Sequence, residues 1–236
     1  LMLYSLETVR ENLRNRAGKR VFYLGKGDTL TSSARDYLQR ERIEILPAEQ
    51  AKPTRYRLPG GGWIEEKPEH MTHLNGDTLV PKTHPRIRFR GKMDTLEAEL
   101  LLCGAECPRY RGELGEILNT VRELLRREVL DEPVEEKPLC GMTERELRKR
   151  SHFPQEFYGQ AHFMPAFSDG TVLLRLNRCR CMAREAELAA AEAFTDREGS
   201  PTRTDLLKAM NRLSSAVYLL MIREKARMQT EKESGS

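Results

Sequence analysis

The stretch AMNRLSSAVYLLM, residues Ala209–Met221, is among the most apolar in the chain, yet Asn211, Arg212, Ser214 and Ser215 stand in its middle. Helical periodicity resolves the conflict. Met210, Leu213, Val217 and Leu220 recur at three and four residues and form one apolar stripe, as a helix laid on a core requires. Asn211, Ser214, Ser215 and Tyr218 share the neighbouring stripe, so the polar groups line one continuous face. Its flanks are nearly all apolar, so this face is expected to be covered, and covered polar groups need partners. A second helix or a ligand can supply them, and the residues alone leave both open.

Working outward, the preceding segment LLRLNRCRCMAREAE (Leu173–Glu187) carries Arg175, Arg178, Arg180, Arg184, Glu185 and Glu187. Arg178 and Glu185 are two turns apart on one side, so both can face one neighbour; a surface salt-bridge ladder is the alternative. Before it, SHFPQEFYGQAHFMPAFSDG (Ser151–Gly170) sets His152, His162 and Pro165 among aromatics, either as an apolar pocket with a polar tip or as ordinary loop packing. Further upstream, Thr72, His73, Lys82, Arg86, Arg88 and Arg90 gather cations and hydroxyls just ahead of a helix, a setting suited to polyphosphate. Asp94 and Glu97 follow on that helix.

The same periodicity sets the fold. Met93, Leu96, Leu100, Cys103 and Cys107, then Leu114, Ile117, Leu118, Val121, Leu124 and Leu125, mark two helices. Thr143 with Glu146 is a capping box opening a short one. Thr171–Phe194 is a long helix. Gly199-Ser200-Pro201 reads as a stop, an N-cap and a first-turn proline for a last helix from about 202 to 227. Residues 85–227 are therefore expected to form a four- to five-helix bundle. Residues 1–55 alternate helix and strand (strands Arg20–Leu24 and Ile43–Leu46, helices near Leu6–Leu13 and Ser32–Arg40), a small α/β module. Residues 56–84 are expected to be a linker and phosphate-binding segment, and 228–236 a disordered tail. Gly25-Lys26-Gly27-Asp28 lacks the spacing of a nucleotide-binding phosphate loop and is read as a turn.

Composition excludes several classes. A net charge of +4, with Lys and Arg matched by Asp and Glu along the same helices, argues against nucleic acid. No apolar run approaches the ~18 residues of a membrane span, and no signal peptide is expected. Leu1 precedes Met2 and is expected to be foreign to the natural start. Five cysteines at irregular spacing, without a CxxC, point to reduced intracellular thiols and to no metal site.

Taken together these segments resemble the cobalamin adenosyltransferases, in particular the ethanolamine-utilisation (EutT) type, related to the PduO type. Asn211–Ser215, NRLSS, is similar to the family's NRLSD element. Arg178, Cys181 and Glu185 match its R-x-x-C-R-R-A-E element. HPRIRFRGKMDTLEAEL resembles D-P-R-x-x-x-x-G-x-x-D-E-L, placing Pro85, Arg86, Gly91 and Asp94. SHFP, HFMP and the opening LTSSARDYL resemble the ethanolamine branch, so the likeness spans most of 1–225 in the family's order.

The resemblance implies a trimeric helical bundle in the cytoplasm, binding ATP between subunits and transferring its 5′-deoxyadenosyl group to cob(I)alamin. It implies ATP with magnesium at Thr72, His73, Lys82 and Arg86, with Asn211 and Glu185 on the nucleotide. Asp94 and Arg178 would pair across the subunit interface, and Phe157, His162, Phe163 and Pro165 would close on the lower face of cobalamin. The cobalamin-dependent lyase and microcompartment proteins are the implied partners. Two departures stand out: THLNGDTL is a degenerate form of the family's T-G-D-x-G segment, and no CCxxC motif is present, so no iron or zinc site is expected. Met182 also stands where the family usually has Arg. The competing reading is a non-catalytic corrinoid or nucleotide carrier, or an interaction module of an ethanolamine-utilisation assembly.

Overall fold

The computed structural model describes residues 2–16, 18–51 and 56–234, which divide into two units, Leu1–His84 and Pro85–Ser236. The expected module boundary at residue 55 and the last two residues of the expected tail lie outside the described residues.

In the N-terminal unit the elements run β1 (Leu3–Tyr4), α1 (Leu6–Glu11), β2 (Arg14–Arg16), β3 (Lys19–Leu24), β4 (Thr29–Leu30), α2 (Ser32–Arg40) and β5 (Glu44–Pro47). Four further strands follow: β6 (Tyr56–Arg57), β7 (Trp63–Ile64), β8 (Met71–Asn75) and β9 (Thr78–Pro81). β3 and β5 pair in parallel, Val21 opposite Glu44, with α2 as the crossover. α2 begins where Thr31 accepts from the Ala34 amide, and it buries Ala34 and Leu38 against Val9 and Phe22. Residues 25–28 form the expected turn, with Asp28 spent on the Met2 amide at 2.8 Å.

The stretch 56–84, expected as a linker, is instead built into the same sheet, in the order β5-β3-β2-β7-β6-β9-β8. The cause is local. Asn75-Gly76 is a hairpin turn, Gly76 taking the left-handed φ of +46° that a tight turn favours in glycine. Around it Met71 and Leu79 alternate inward to a small core with Ile64.

The second unit is helical: α3 (Pro85–Glu106), α4 (Arg111–Leu130), α5 (Glu144–His152), α6 (Pro154–Tyr158), α7 (Gly170–Ala193) and α8 (Thr204–Ser234). α7 lies against α3 and α8, α4 against α3 and α8, and α5 on α8. The periodic residues meet in one core: Met93, Leu96 and Leu100 with Ile117 and Val121, and Leu173, Leu176, Ala183 and Ala186 with Leu213, Val217 and Leu220. The small side chains of α7 let α8 approach closely, and each buried leucine there stabilises by roughly 2–5 kcal/mol relative to alanine. Thr143 and Glu146 form the expected capping box. This is the expected mainly α bundle, four long helices with two short ones, and the N-terminal unit is the expected small α/β module.

Two ends differ from expectation. Pro201 does not open α8. It bridges to Thr195, because the Asp196 carboxylate collects the amides of Glu198 (3.0 Å) and Ser200 (2.7 Å) into a turn, and α8 starts at Thr204. At the other end, residues 228–234, expected as tail, continue α8. Arg227 spans Glu224 and Glu231 at helical spacing and carries the helix onward.

Candidate functional site

The polar stripe of Asn211, Ser214, Ser215 and Tyr218 is the floor of a cleft. The apolar stripe of α8 is fully buried, Met210, Leu213 and Val217 at 0% exposure. The polar stripe is not covered as expected: Asn211 is exposed, Ser215 and Tyr218 are half-buried, and only Ser214 is buried. These four residues face Arg180, Arg184 and Glu187 of α7 across a cavity of about 520 Å³, closed at one end by Ser151, His152 and His162.

Each side chain is held by a physical cause. Positions 180, 184 and 187 are one face of α7, at spacings of four and three. Ser214 and Ser215 turn their hydroxyls back on the Asn211 carbonyl, each at 3.1 Å, and Ser214 also lies 3.4 Å from Glu187 Oε2. Arg212 Nη2 donates to Asn211 Oδ1 at 3.0 Å, which leaves the Asn211 amide nitrogen as the free donor. Arg180 sits over the Tyr218 ring, 5.9 Å from its centroid, and its Nε is buried without a hydrogen-bond partner among the described residues. Arg184 makes no ion pair among the described residues, so two guanidiniums face one carboxylate in the lining. Such a lining suits a polyanion.

The histidine end is equally defined. His162 Nε2 lies 3.2 Å from the His152 carbonyl, which can only accept, so this nitrogen carries the proton. In the neutral ring Nδ1 is then the acceptor, and it takes the Tyr218 hydroxyl at 2.6 Å. Burial pushes the Tyr218 phenol above its ordinary range, so it keeps that proton, against a smaller opposing effect of the Arg180 charge.

A second cavity, about 500 Å³, lies beside α4, α5 and the start of α8. Five acidic groups line it (Glu123, Glu135, Glu136, Glu144, Asp205) against Lys137, Lys208 and Arg212. Its acids and bases answer one another, as in Lys208 to Glu144 at 2.7 Å and Lys137 to Glu123 at 2.8 Å, so it lacks the cationic surplus of the first.

Of the expected residues, Asn211 and His162 meet in the cleft. Arg178 and Glu185 do not. Two residues along a helix turn about 200°, so both point away from Asn211. Arg178 pairs with Glu99 at 2.9 Å and Glu185 with Lys92 at 2.6 Å. Arg86 also lies elsewhere: with Arg90 it brackets Glu128, a carboxylate at 0% exposure, at 2.5 and 2.6 Å, and its ring neighbour is Phe194. Asp94 is exposed and forms no ion pair among the described residues. Phe163 packs on the main core under Lys225, Phe157 lies under Lys149 and Arg150, and Pro165 is half-buried. Thr72, His73 and Lys82 belong to the N-terminal unit. There Thr72 pairs with Val80, His73 Nδ1 bonds the Gly76 carbonyl at 3.0 Å, and Lys82 is exposed.

Arg180, Arg184 and Glu187 are therefore the cleft residues that sequence reasoning passed over. The signal was present two residues further on: R-x-x-C-R-R-A-E also matches at Arg180, Arg184, Ala186 and Glu187. Cys103, Cys107 and Cys179 are core residues; burial pushes the Cys107 thiol up to about 12, away from thiolate. Among the described residues no group of three or more His, Cys, Asp or Glu is placed to hold a metal ion, and no helix is long and apolar enough to cross a membrane.

The family model described as cobalamin adenosyltransferase matches residues 64–224, which include every cleft residue. Corrinoid adenosyltransferase EutT of Salmonella typhimurium is 34% identical over 160 residues, 67% of this chain and 60% of that protein. Its Escherichia coli K12 counterpart is 32% identical over 160 residues with the same coverage. The chain thus matches about 60% of the length of these curated relatives. With two-thirds of its residues matched by the family model, the chain belongs to the cobalamin adenosyltransferase family.

Proposed function

We propose that this chain transfers the 5′-deoxyadenosyl group of ATP to cob(I)alamin, giving adenosylcobalamin. The observation that carries the reading is the cleft between α7 and α8, where two guanidiniums and a turned amide converge inside the family-matched region. The reaction asks for no side-chain nucleophile. Cobalt(I) of the substrate supplies the electron pair of the new Co–C5′ bond, and the C5′–O bond breaks with its pair on the triphosphate. The protein's work is alignment and stabilisation of the leaving charge.

Under this reading Arg180 and Arg184 take the triphosphate, which arrives with magnesium, and the Asn211 amide nitrogen donates to the nucleotide. Glu187, the one carboxylate of the lining, accepts from the ribose hydroxyls. The 159–169 strap, with His162, Phe163 and Pro165, and Phe157 of α6, faces the corrinoid. The reading extends to a homotrimer. Asp94 is available to a neighbouring copy, and Leu101, Leu102 and Leu188, each about half exposed or more, offer apolar surface on α3 and α7. The ethanolamine-type resemblance adds a cytoplasmic setting, with the cobalamin-dependent lyase or microcompartment proteins as partners.

The test mixes the protein anaerobically with ATP, magnesium and chemically reduced cobalamin and follows the absorbance change to adenosylcobalamin. Turnover supports the transferase. Corrinoid binding without product would assign the chain to the carrier class instead.

A further inference from the structure

The cleft contains a contact that the transfer reaction as written does not use. Residues 159–169 cross from α6 to α7 as a strap, and the strap is tied to α8 at two points seven residues apart. At one, Asp169, only 3% exposed, accepts from Lys225 Nζ and from the Ala166 amide (2.8 Å), while Lys225 also covers the Phe163 ring. At the other, the His162 and Tyr218 rings stack with an interplanar angle of 12° and share a 2.6 Å hydrogen bond. Tyr218 is the only member of this set that also touches a cleft cation, through the Arg180 guanidinium on its ring.

From this arrangement we infer that Tyr218 is a positioning residue: its hydroxyl on Nδ1, together with the His152 carbonyl on Nε2, holds His162 in the Nε2–H tautomer at the strap end of the cleft, and its ring seats Arg180. The two functions sit on different atoms of one side chain, so they separate by mutation. Tyr218→Phe keeps the ring under Arg180 and removes only the donor to His162 Nδ1. Tyr218→Leu removes both. Asp169 and Lys225 keep the strap attached in either variant, so the effect at His162 is one of orientation rather than of strap release.

The substrate assignments rest on the adenosyl-transfer reading; the tautomer does not. The experiment therefore has two arms. In the first, the protein is labelled with ¹⁵N-histidine, its five histidines being few enough to resolve, and His162 is assigned by the signals lost in His162→Gln. An unprotonated, hydrogen-bonded Nδ1 in the wild type that changes in Tyr218→Phe is expected; unchanged His162 signals in Tyr218→Phe overturn the inference. In the second arm, steady-state kinetics vary ATP and cob(I)alamin separately. Tyr218→Phe is expected to lower kcat/KM for the corrinoid by about tenfold, the effect of one lost hydrogen bond, with KM for ATP within about twofold. Tyr218→Leu is expected to raise KM for ATP as well. The double variant Tyr218→Phe/His162→Ala should match His162→Ala alone, because the hydroxyl acts through that ring. Additive losses, or a Tyr218→Phe defect confined to ATP, overturn the inference. A wild type that makes no adenosylcobalamin defeats the functional reading and leaves the first arm to decide the tether.

Discussion

Arg212 Nη2 and Asn211 Oδ1 are 3.0 Å apart, and this bond between chain neighbours decides which end of the Asn211 amide the cleft receives. The guanidinium can only donate, so it takes the oxygen and turns the NH₂ outward. A ligand at Asn211 must therefore present an acceptor.

Asn211→Asp replaces that donor with an anionic acceptor of the same shape. It is expected to reduce kcat/KM for ATP by roughly 10- to 100-fold, since hydrogen bonds to charged groups contribute about 1.5–3 kcal/mol. Initial rates at varied ATP measure it, and a variant with wild-type kcat/KM would show that the amide does not face the nucleotide.

Three arginines distinguish the face of α7 that works. Arg184→Ala and Arg180→Ala should each raise KM for ATP about tenfold or more, by removing a charge-assisted contact to phosphate. Arg178→Ala loses its pair with the half-buried Glu99, in which the arginine side is largely solvent-exposed, so a loss of about 1 kcal/mol in stability is expected and its KM should stay near wild type. The reverse ranking would return the site to the Arg178 side of the helix.

Glu128 is the buried anchor between α3 and α4. Glu128→Ala leaves Arg86 and Arg90 largely buried beside an empty space, and a loss of about 3–5 kcal/mol is expected from breaking such a cluster on one side. Urea denaturation measures it. A loss near zero would mean that the two arginines find other partners at no cost.

The start of α8 carries an acid-sensitive element. Asp205 is held down to about 2 chiefly by the Arg203 guanidinium, with further help from the Val134 amide at 2.7 Å. A depressed carboxyl stabilises the fold above its unfolded value of about 3.9, and that contribution disappears as pH falls toward about 2. Thermal melts from pH 5 to pH 2 should show a steeper decline for the wild type than for Asp205→Asn. Parallel curves would exclude Asp205 as a source of the acid sensitivity.

Much of this molecule is legible in its sequence. Periodicity of 3.6 residues placed α3, α4, α7 and α8, because burying a long apolar stripe leaves few alternatives to a bundle. The Thr143–Glu146 box and the βαβ opening were visible for the same reason: their signals are local. The hairpin over 71–81 was also local, in Asn75-Gly76, but its cationic flanks drew the reading toward phosphate. The extension of α8 past 227 rests on exposed ion pairs at helical spacing, which composition alone does not separate from a charged tail.

By itself, then, the sequence determined the helices, their buried faces and the polar stripe of Asn211, Ser214, Ser215 and Tyr218. Only the tertiary structure decided what that stripe meets. A chain rich in arginine offers several registers that satisfy a motif, and each step of two residues moves a side chain to the far side of its helix. Packing the small residues Ala183, Ala186 and Ala190 of α7 into the core turns Arg180, Arg184 and Glu187 toward α8 and leaves Arg178 and Glu185 to α3. That rotation is fixed by core volume across two helices, which no local pattern encodes.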